Sequence, residues 1–166
     1  MNQIKLDCML NPLAAEVVRI AAAIPGERVM DIGCGDTSIA LARIAAVVKG
    51  IDLSRPMLRL ASQRAKSIQG VTFTQADAAV VPFAQSVQLL FSRFGVMFFE
   101  GPIKAFSHLH SGLSEEGRLV FICWQKPSAN PWMSLAGRAL QPFLPAPVSP
   151  PDPRVPGHLP SLIQLM

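Results

Sequence analysis

Val-Met-Asp-Ile-Gly-Cys-Gly, residues 29–35, carries the strongest indication of the fold in this sequence. Its apolar start is typical of a buried strand, and its glycines allow a sharp turn and a close approach of the backbone to a ligand, because glycine has no Cβ. Asp31 adds a negative charge where a loop built for a pyrophosphate would present bare amides. The stretch therefore indicates a nucleotide-cofactor loop and favours a ligand that carries positive charge.

The segments on either side alternate between helix-like and strand-like apolar patterns, which predicts an α/β fold with a mainly parallel sheet of about five strands. Asn11-Pro12 is a typical helix start, and Asp36, Thr37 and Ser38 are candidate caps for the second helix. The predicted strands are 28–32, 47–52, 71–75, 87–92 and 118–124; the predicted helices are 11–23, 36–44, 54–67 and 102–111; and 114–117 is predicted to be a turn.

Asp31, Asp52 and Asp77 fall at the C-terminal ends of three successive predicted strands. Parallel strands bring these ends to one edge of the sheet, which is where open α/β sheets bind ligands. Asp52 lies about 20 residues after the glycine loop, a spacing that suits hydrogen bonds to both ribose hydroxyls. S-adenosylmethionine combines such a ribose with a sulfonium and an ammonium group. Alternatively, the aspartates serve only to cap helices and turns.

Composition bounds the remaining classes of function. The 166 residues are 50% apolar, which suits one domain, and charged residues interrupt every long apolar stretch, so we expect no membrane span and a cytoplasmic protein. The net charge of +4 is scattered, and the chain has no tyrosine and no basic stripe interleaved with aromatic residues, which argues against nucleic-acid binding. Three widely spaced cysteines indicate neither a metal site nor a disulfide framework.

These motifs resemble those of the class I S-adenosylmethionine-dependent methyltransferases, and within them the ubiquinone/menaquinone-biosynthesis-like small-molecule group, over about residues 8–160. The resemblance implies a Rossmann-like three-layer sandwich, an enzyme and S-adenosyl-L-methionine as cofactor. The first motif of that family surrounds the methionine part of the cofactor. In this chain the corresponding residues are Asp31, Gly33, Cys34 and Gly35.

Two further motifs resemble the ribose and adenine contacts of the family. Gly-Ile-Asp-Leu-Ser-Arg-Pro-Met-Leu at 50–58 implies Asp52 on the ribose hydroxyls and Leu53 against the adenine ring. Gln-Ala-Asp-Ala-Ala at 75–79 is similar to the adenine-binding turn, which implies that Asp77 accepts from the exocyclic amine and that the Ala78 amide contacts the ring.

The segments 89–99 and 117–124 resemble the fourth-strand and fifth-strand motifs. The fourth-strand motif implies Ser92 and Arg93 beside the transferring methyl group. The chemistry itself mainly requires alignment and exclusion of water, so no catalytic base is assigned.

The chain departs from the family pattern at several places. Thr37 stands where the first motif usually has a third glycine, and its branched side chain can crowd the methionine part of the cofactor. Gln88 replaces a usual acid, with the expected loss of a structural hydrogen bond. Both ends look shortened: residues 1–141 are predicted to be an incomplete methyltransferase domain without the terminal antiparallel strand pair, and residues 142–166 a proline-rich tail.

The motifs and their departures from the family pattern leave one predicted function and several alternatives. The sequence predicts S-adenosylmethionine-dependent methyl transfer to a small-molecule acceptor, with self-association possible through an exposed fifth strand. The alternatives are a cofactor-binding methyltransferase fragment without independent turnover and a subunit that depends on a partner. A nicotinamide-dependent dehydrogenase fits less well, because its Gly-x-Gly-x-x-Gly fingerprint would need glycine where Ser38 stands.

Overall fold

The computed structural model describes residues 3–44, 47–125, 129–130, 135, 139 and 143. Five parallel strands form one sheet, flanked by helices on both faces. The strands are β1 Arg28–Ile32, β2 Val47–Asp52, β3 Val71–Gln75, β4 Val87–Arg93 and β5 Leu113–Ile122; the helices are α1 Gln3–Ala21, α2 Asp36–Ala42, α3 Arg55–Arg64 and α4 Pro102–Ser111, with a 3₁₀ turn at Val96–Phe98.

The strand order is β3-β2-β1-β4-β5, so the chain crosses from one half of the sheet to the other between β3 and β4. This order places a topological switch point beside β1, at the carboxyl edge of the sheet. The predicted α/β class with a parallel five-stranded sheet is confirmed, and β1, β2 and β3 have the predicted bounds.

Two apolar cores, one on each face of the sheet, produce the three-layer arrangement. On one face, Val17 and Ala21 of α1 and Leu41 of α2 pack against strand residues such as Phe91. On the other face, Leu109 of α4 packs with a second set of strand and loop residues, among them Met30, Ile32, Ile51, Ala78, Leu90 and Val96. Burial on both faces explains the nearly continuous apolar sequences of β1 and β4.

The predicted start of α1 is wrong. The helix begins at Gln3 and ends at Ala21, and Pro12 lies inside it instead of at its first position. A proline within a helix removes one hydrogen bond and costs about 3 kcal/mol, but it does not by itself end the helix. The Asn-Pro signal was therefore too local to decide this boundary.

The predicted turn before β5 is also corrected. Val87 of β4 pairs with Leu113, and the next pair joins Leu89 to Arg118, so the ladder shifts register between them. Residues 114–117 form an irregularity within the strand instead of a turn before it. From Arg118 onward the pairing follows the expected strand, which ends at Ile122 instead of Trp124.

Gln88 keeps the structural hydrogen bond that the sequence comparison suggested was lost. Its side-chain Oε1 accepts from the backbone amide of Arg28 at 2.9 Å. An amide oxygen can accept this hydrogen bond in place of a carboxylate. The departure from the usual acid therefore leaves the contact between the starts of β1 and β4 intact.

Arg118 joins β5 to the segment after α1. Its guanidinium forms an ion pair with Glu27, which is 3% exposed, and donates to the carbonyl of Ala21 at 2.7 Å. Burial alone raises the pKa of Glu27, but hydrogen bonds from Arg118 and the Ile24 amide, together with the Arg118 charge, outweigh it and lower the pKa overall. The buried carboxylate is therefore charged and compensated.

The predictions about the end of the chain stay predictions. The domain boundary between 141 and 142 and, except for residue 143, the proline-rich segment 142–166 lie outside the described residues. Within the described part of the chain, β5 pairs only with β4, so its outer edge has no strand partner there. Self-association through this edge, and the lack of a terminal strand pair, are not tested by these contacts.

We expect Arg118→Met to lower the free energy of unfolding by about 2–4 kcal/mol, because the variant leaves the Glu27 carboxylate buried without a counter-ion. Urea unfolding followed by circular dichroism measures this loss. The double variant Glu27→Gln/Arg118→Met should recover part of it, since no charge is then buried. Equal stability of the single and double variants would contradict this account.

Candidate functional site

Three aspartates lie at the carboxyl edge of neighbouring strands. Asp31 is next to last in β1 and pairs with Gly50, Asp52 ends β2 two residues beyond Gly50, and Asp77 follows β3. Asp31 and Asp52 share one face of the sheet, because residues two apart on a strand point the same way. The edge is therefore acidic on its β1–β3 side.

Asp31 is completely buried, and only one of its carboxylate oxygens has a partner. Oδ2 accepts from Ser38 Oγ at 2.6 Å and from Thr37 Oγ1 at 2.9 Å, whereas Oδ1 has no hydrogen bond. Burial raises the pKa of Asp31 to about 6, although the two hydroxyls and the Arg93 charge act in the opposite direction. A buried acceptor without a partner is uncommon and indicates a site for a donor from a ligand or a water molecule.

Thr37 is buried beside Asp31, and its effect on a bound cofactor stays a prediction. The residue is 2% exposed, and its hydroxyl donates to Asp31. Thr37 and Ser38 also do not cap α2, whose N-cap is Gly35 without a side-chain hydrogen bond. The two hydroxyls instead stabilise the buried Asp31 carboxylate, which sequence patterns for helix caps do not reveal.

The two glycines of the 29–35 stretch have different surroundings. A Cβ on Gly33 would lie 2.6 Å from the Cα of Gly95, which is too close for any side chain. Gly33 also has a φ of +69°, a backbone conformation that favours glycine. A Cβ on Gly35 would meet no atom within 4 Å. Gly33 therefore serves the fold, whereas the space beside Gly35 is open to a ligand.

Cys34 faces the protein interior. The residue is 2% exposed, and its amide donates to the Ile51 carbonyl at 3.2 Å. Its Cβ would lie 2.9 Å from a Cβ placed on Gly50 of the neighbouring strand. Burial, followed by the charges of Asp31 and Asp52, raises the pKa of the thiol. The structure thus places Cys34 within the loop as a packing residue with a neutral thiol.

Asp52 and Leu53 lie at the open end of β2. Asp52 Oδ1 accepts from the Ser54 amide at 2.7 Å, and partial burial raises the pKa of this carboxyl against the effect of that hydrogen bond. Leu53 is 66% exposed, and Met57 on the first turn of α3 is also exposed. An acceptor and two uncovered apolar side chains therefore adjoin at this edge, which suits a ribose next to a flat ring.

Asp77 and Ala78 form a tight turn after β3. Asp77 Oδ1 accepts from the Ala79 amide at 2.8 Å, and the Asp77 carbonyl accepts from Val81 at 2.9 Å. Ala78 is buried in the core on the α4 face of the sheet. The Ala76 amide donates to the Asp52 carbonyl at 3.2 Å, so this turn is held close to the end of β2.

Ser92 is buried, and its hydroxyl has no free hydrogen-bonding capacity. It donates to the Ile32 carbonyl at 2.8 Å and accepts from the amides of Gly95 and Val96 at 3.1 and 3.2 Å. A hydroxyl has one donor and two acceptor positions, and all three are used. Ser92 thus joins the loop after β4 to the end of β1, and its hydroxyl has no hydrogen-bonding position left for a ligand.

The loop after β4 holds structural features that the sequence patterns did not predict. A Cβ on Gly95 would lie 2.3 Å from the Ile32 carbonyl oxygen, and Phe94 has a φ of +64°, which is strained for a residue with a side chain. The Phe94 ring stacks on Trp124 with centroids 4.7 Å apart. The glycine was visible in the sequence, but its contact with the first loop depends on strand order.

Comparison with known proteins agrees with this geometry. Residues 29–117, more than half of the chain, match the family described as the methyltransferase domain. The chain belongs to the class I S-adenosylmethionine-dependent methyltransferase family. The family assignment made from the motifs is thereby confirmed, and the sheet described above is the core of this fold.

The relatives include small-molecule methyltransferases. A demethylmenaquinone methyltransferase of Renibacterium salmoninarum is 30% identical over 78% of this chain and 55% of its own length. A trans-aconitate 2-methyltransferase of Klebsiella pneumoniae is 31% identical over 80% of this chain and 56% of its own length. This methyltransferase-family chain therefore spans about half the length of these curated relatives.

A solved structure shows the same fold. The N-methyltransferase NodS of Bradyrhizobium japonicum, in complex with S-adenosyl-L-homocysteine, aligns with a TM-score of 0.64 and 19% identity, over 74% of this chain and 66% of NodS.

In the described part of the methyltransferase-family chain, no helix has both the length and the hydropathy needed to cross a membrane.

We expect Gly95→Ala to lower the free energy of unfolding by about 1–3 kcal/mol, because its Cβ would overlap the Ile32 carbonyl. Gly101→Ala is the matched control, since a Cβ there meets nothing within 4 Å and a change at this helix cap costs less than about 1 kcal/mol. Denaturant unfolding of the wild type and both variants measures whether Gly95→Ala loses more unfolding free energy than Gly101→Ala. Equal losses would contradict the close contact between the two loops.

The raised pKa of Asp31 predicts a specific pH dependence of stability. Between the unfolded pKa of 3.8 and the folded pKa of about 6, the folded state holds a proton that the unfolded state has lost, so stability falls as the pH rises through this window. From pH 5 to pH 7 the wild type should lose about 1 kcal/mol more than Asp31→Asn. Glu116→Gln, at an exposed position, serves as control and should follow the wild type.

Proposed function

We propose that this chain binds S-adenosylmethionine at the carboxyl edge of its sheet and directs the methyl group to a small-molecule acceptor. The observation that carries the proposal is the buried Oδ1 of Asp31, which has no hydrogen-bond partner and belongs to the strand that leads into the open loop position Gly35. A donor with positive charge satisfies that oxygen best, because a charge-assisted hydrogen bond compensates a buried carboxylate. The ammonium group of the cofactor is such a donor.

The other site residues take the remaining parts of the cofactor in this proposal. Asp52 accepts from the ribose hydroxyls, and the exposed Leu53 and Met57 cover the adenine ring. Asp77 accepts from the exocyclic amine of adenine. The rest of the predicted set, namely Gly33, Cys34, Ala78 and Ser92, forms and holds the loops that surround the ligand, and Ala78 in addition offers its amide to the ring.

The bound cofactor supplies a methyl group that is already activated by the sulfonium. The chain supplies binding and orientation, since aligned attack over a short distance accounts for much of the rate. Acidic residues on the β1–β3 side of the edge orient the cofactor, and the strained loop after β4 borders the side from which an acceptor arrives. No residue is assigned as a base.

The acceptor in this proposal is a small molecule with a nucleophilic oxygen, nitrogen or carbon. The relatives named above include enzymes for a demethylated menaquinone and for trans-aconitate, which differ widely in charge and size. These names support the class of acceptor, and the proposal extends no further than that class.

Calorimetric titration with S-adenosylhomocysteine tests cofactor binding by the full chain. We expect Asp52→Ala to weaken binding by about tenfold or more, because hydrogen bonds to a charged group contribute roughly 1.5–3 kcal/mol. Glu116→Gln removes one negative charge outside the site and should bind like the wild type. NADH is the control ligand and should not bind.

Either of two results would overturn the proposal. One is a folded wild-type chain that does not bind S-adenosylhomocysteine, whether or not it binds NADH, and the other is equal affinity of wild type and Asp52→Ala. Methyl transfer itself is measured by release of S-adenosylhomocysteine from S-adenosylmethionine in the presence of candidate quinone and carboxylic-acid acceptors. Turnover that depends on an added acceptor supports the small-molecule assignment.

A further inference from the structure

Arg93, the last residue of β4, has a buried polar atom without a partner. Its side-chain Nε is inaccessible and forms no hydrogen bond within the described part of the chain. The residue as a whole is half-buried, but a charged donor atom that is buried without a partner is costly and therefore uncommon. Arg93 and Asp31 are the two residues with such orphaned buried side-chain atoms among those described.

The two orphaned groups lie on the same side of the sheet. Asp31 pairs with Phe91, and Arg93 lies two residues further along β4, so both side chains leave the same face. The positive charge of Arg93 acts on Asp31, yet the described contacts include no ion pair between them. Each residue therefore keeps a buried polar atom that a third group could pair with.

A narrow cleft connects Arg93 to the first glycine loop. It is lined by Gly35 and Asp36 at the start of α2, by Met57 on α3 and by Arg93. The other cation of the cleft, Arg64, forms an ion pair with Asp36. Arg93 is therefore the cation of this cleft without a carboxylate partner among the described residues.

We propose that Arg93 binds the α-carboxylate of the cofactor's amino-acid part, while Asp31 binds its α-ammonium group. This inference rests on the proposed function. It replaces the position beside the transferring methyl that the sequence resemblance implied for Arg93, since a guanidinium next to a sulfonium would place two positive charges together. A carboxylate accepts from a guanidinium with the geometry that both groups favour.

The test compares ligands that differ only in the amino-acid part. S-adenosylhomocysteine has both the ammonium and the carboxylate, decarboxylated S-adenosylhomocysteine lacks the carboxylate, and 5′-methylthioadenosine lacks both. For the wild type, we expect loss of the carboxylate to weaken binding by about tenfold or more. In Arg93→Met the two adenosylhomocysteine ligands should bind equally well, and the affinity for 5′-methylthioadenosine should stay within about twofold of the wild type.

Arg59→Met on the exposed surface of α3 is the matched control and should keep the wild-type preference for the carboxylate. Wild-type protein that binds S-adenosylhomocysteine and its decarboxylated form equally would overturn the inference, with no variant needed. An equal loss of affinity for all three ligands in a folded Arg93→Met protein would also overturn it, in favour of a structural role. Absence of binding by every ligand to the wild type would instead contradict the proposed function.

Discussion

The contact between the loop after β1 and the loop after β4 is the constraint on which the site depends. Gly33 and Gly95 approach so closely that neither tolerates a Cβ, and Ser92 joins the two loops through three hydrogen bonds. Because β1 and β4 are neighbours at the switch point of the sheet, this contact holds the start of the first glycine loop, two residues before the N-cap of α2 at Gly35.

The contact lies near Asp31, whose electrostatics depend on its burial. Asp31, in the strand that ends at this contact, is fully buried, and Thr37 and Ser38 are the hydrogen-bond donors to one of its carboxylate oxygens. Burying a charge with an unpartnered oxygen costs free energy, and the raised pKa is the expression of that cost. Such a cost is typical of binding sites, where a ligand later provides the missing partner. The strained Phe94 on the opposite loop is a second cost at the same place.

Sequence reasoning predicted the elements whose signals are local and periodic. β1, β2 and β3 were correctly bounded, since short β-branched and apolar runs between turn residues define strands, and Ser54 caps α3 as expected. It failed where tertiary contacts decide the outcome, as at the start of α1, which continues through Pro12. It also failed for residues 114–117, which were predicted to be a turn. They lie inside β5, between Leu113 and Arg118, which both pair with β4.

The residues of the site also separate into those that local sequence patterns predict and those whose roles depend on tertiary contacts. The acids at the strand ends were predictable, because strand periodicity and parallel order bring them to one edge. The partners of Asp31 were not, since Thr37 and Ser38 resemble ordinary cap residues until the position of the loop is known. The role of Ser92 was equally hidden, because a serine at a strand end carries no sign of which atoms it will bind. The chemical type of a site residue is thus readable from sequence, whereas its capacity to bind a ligand depends on how many of its hydrogen bonds the fold has already used.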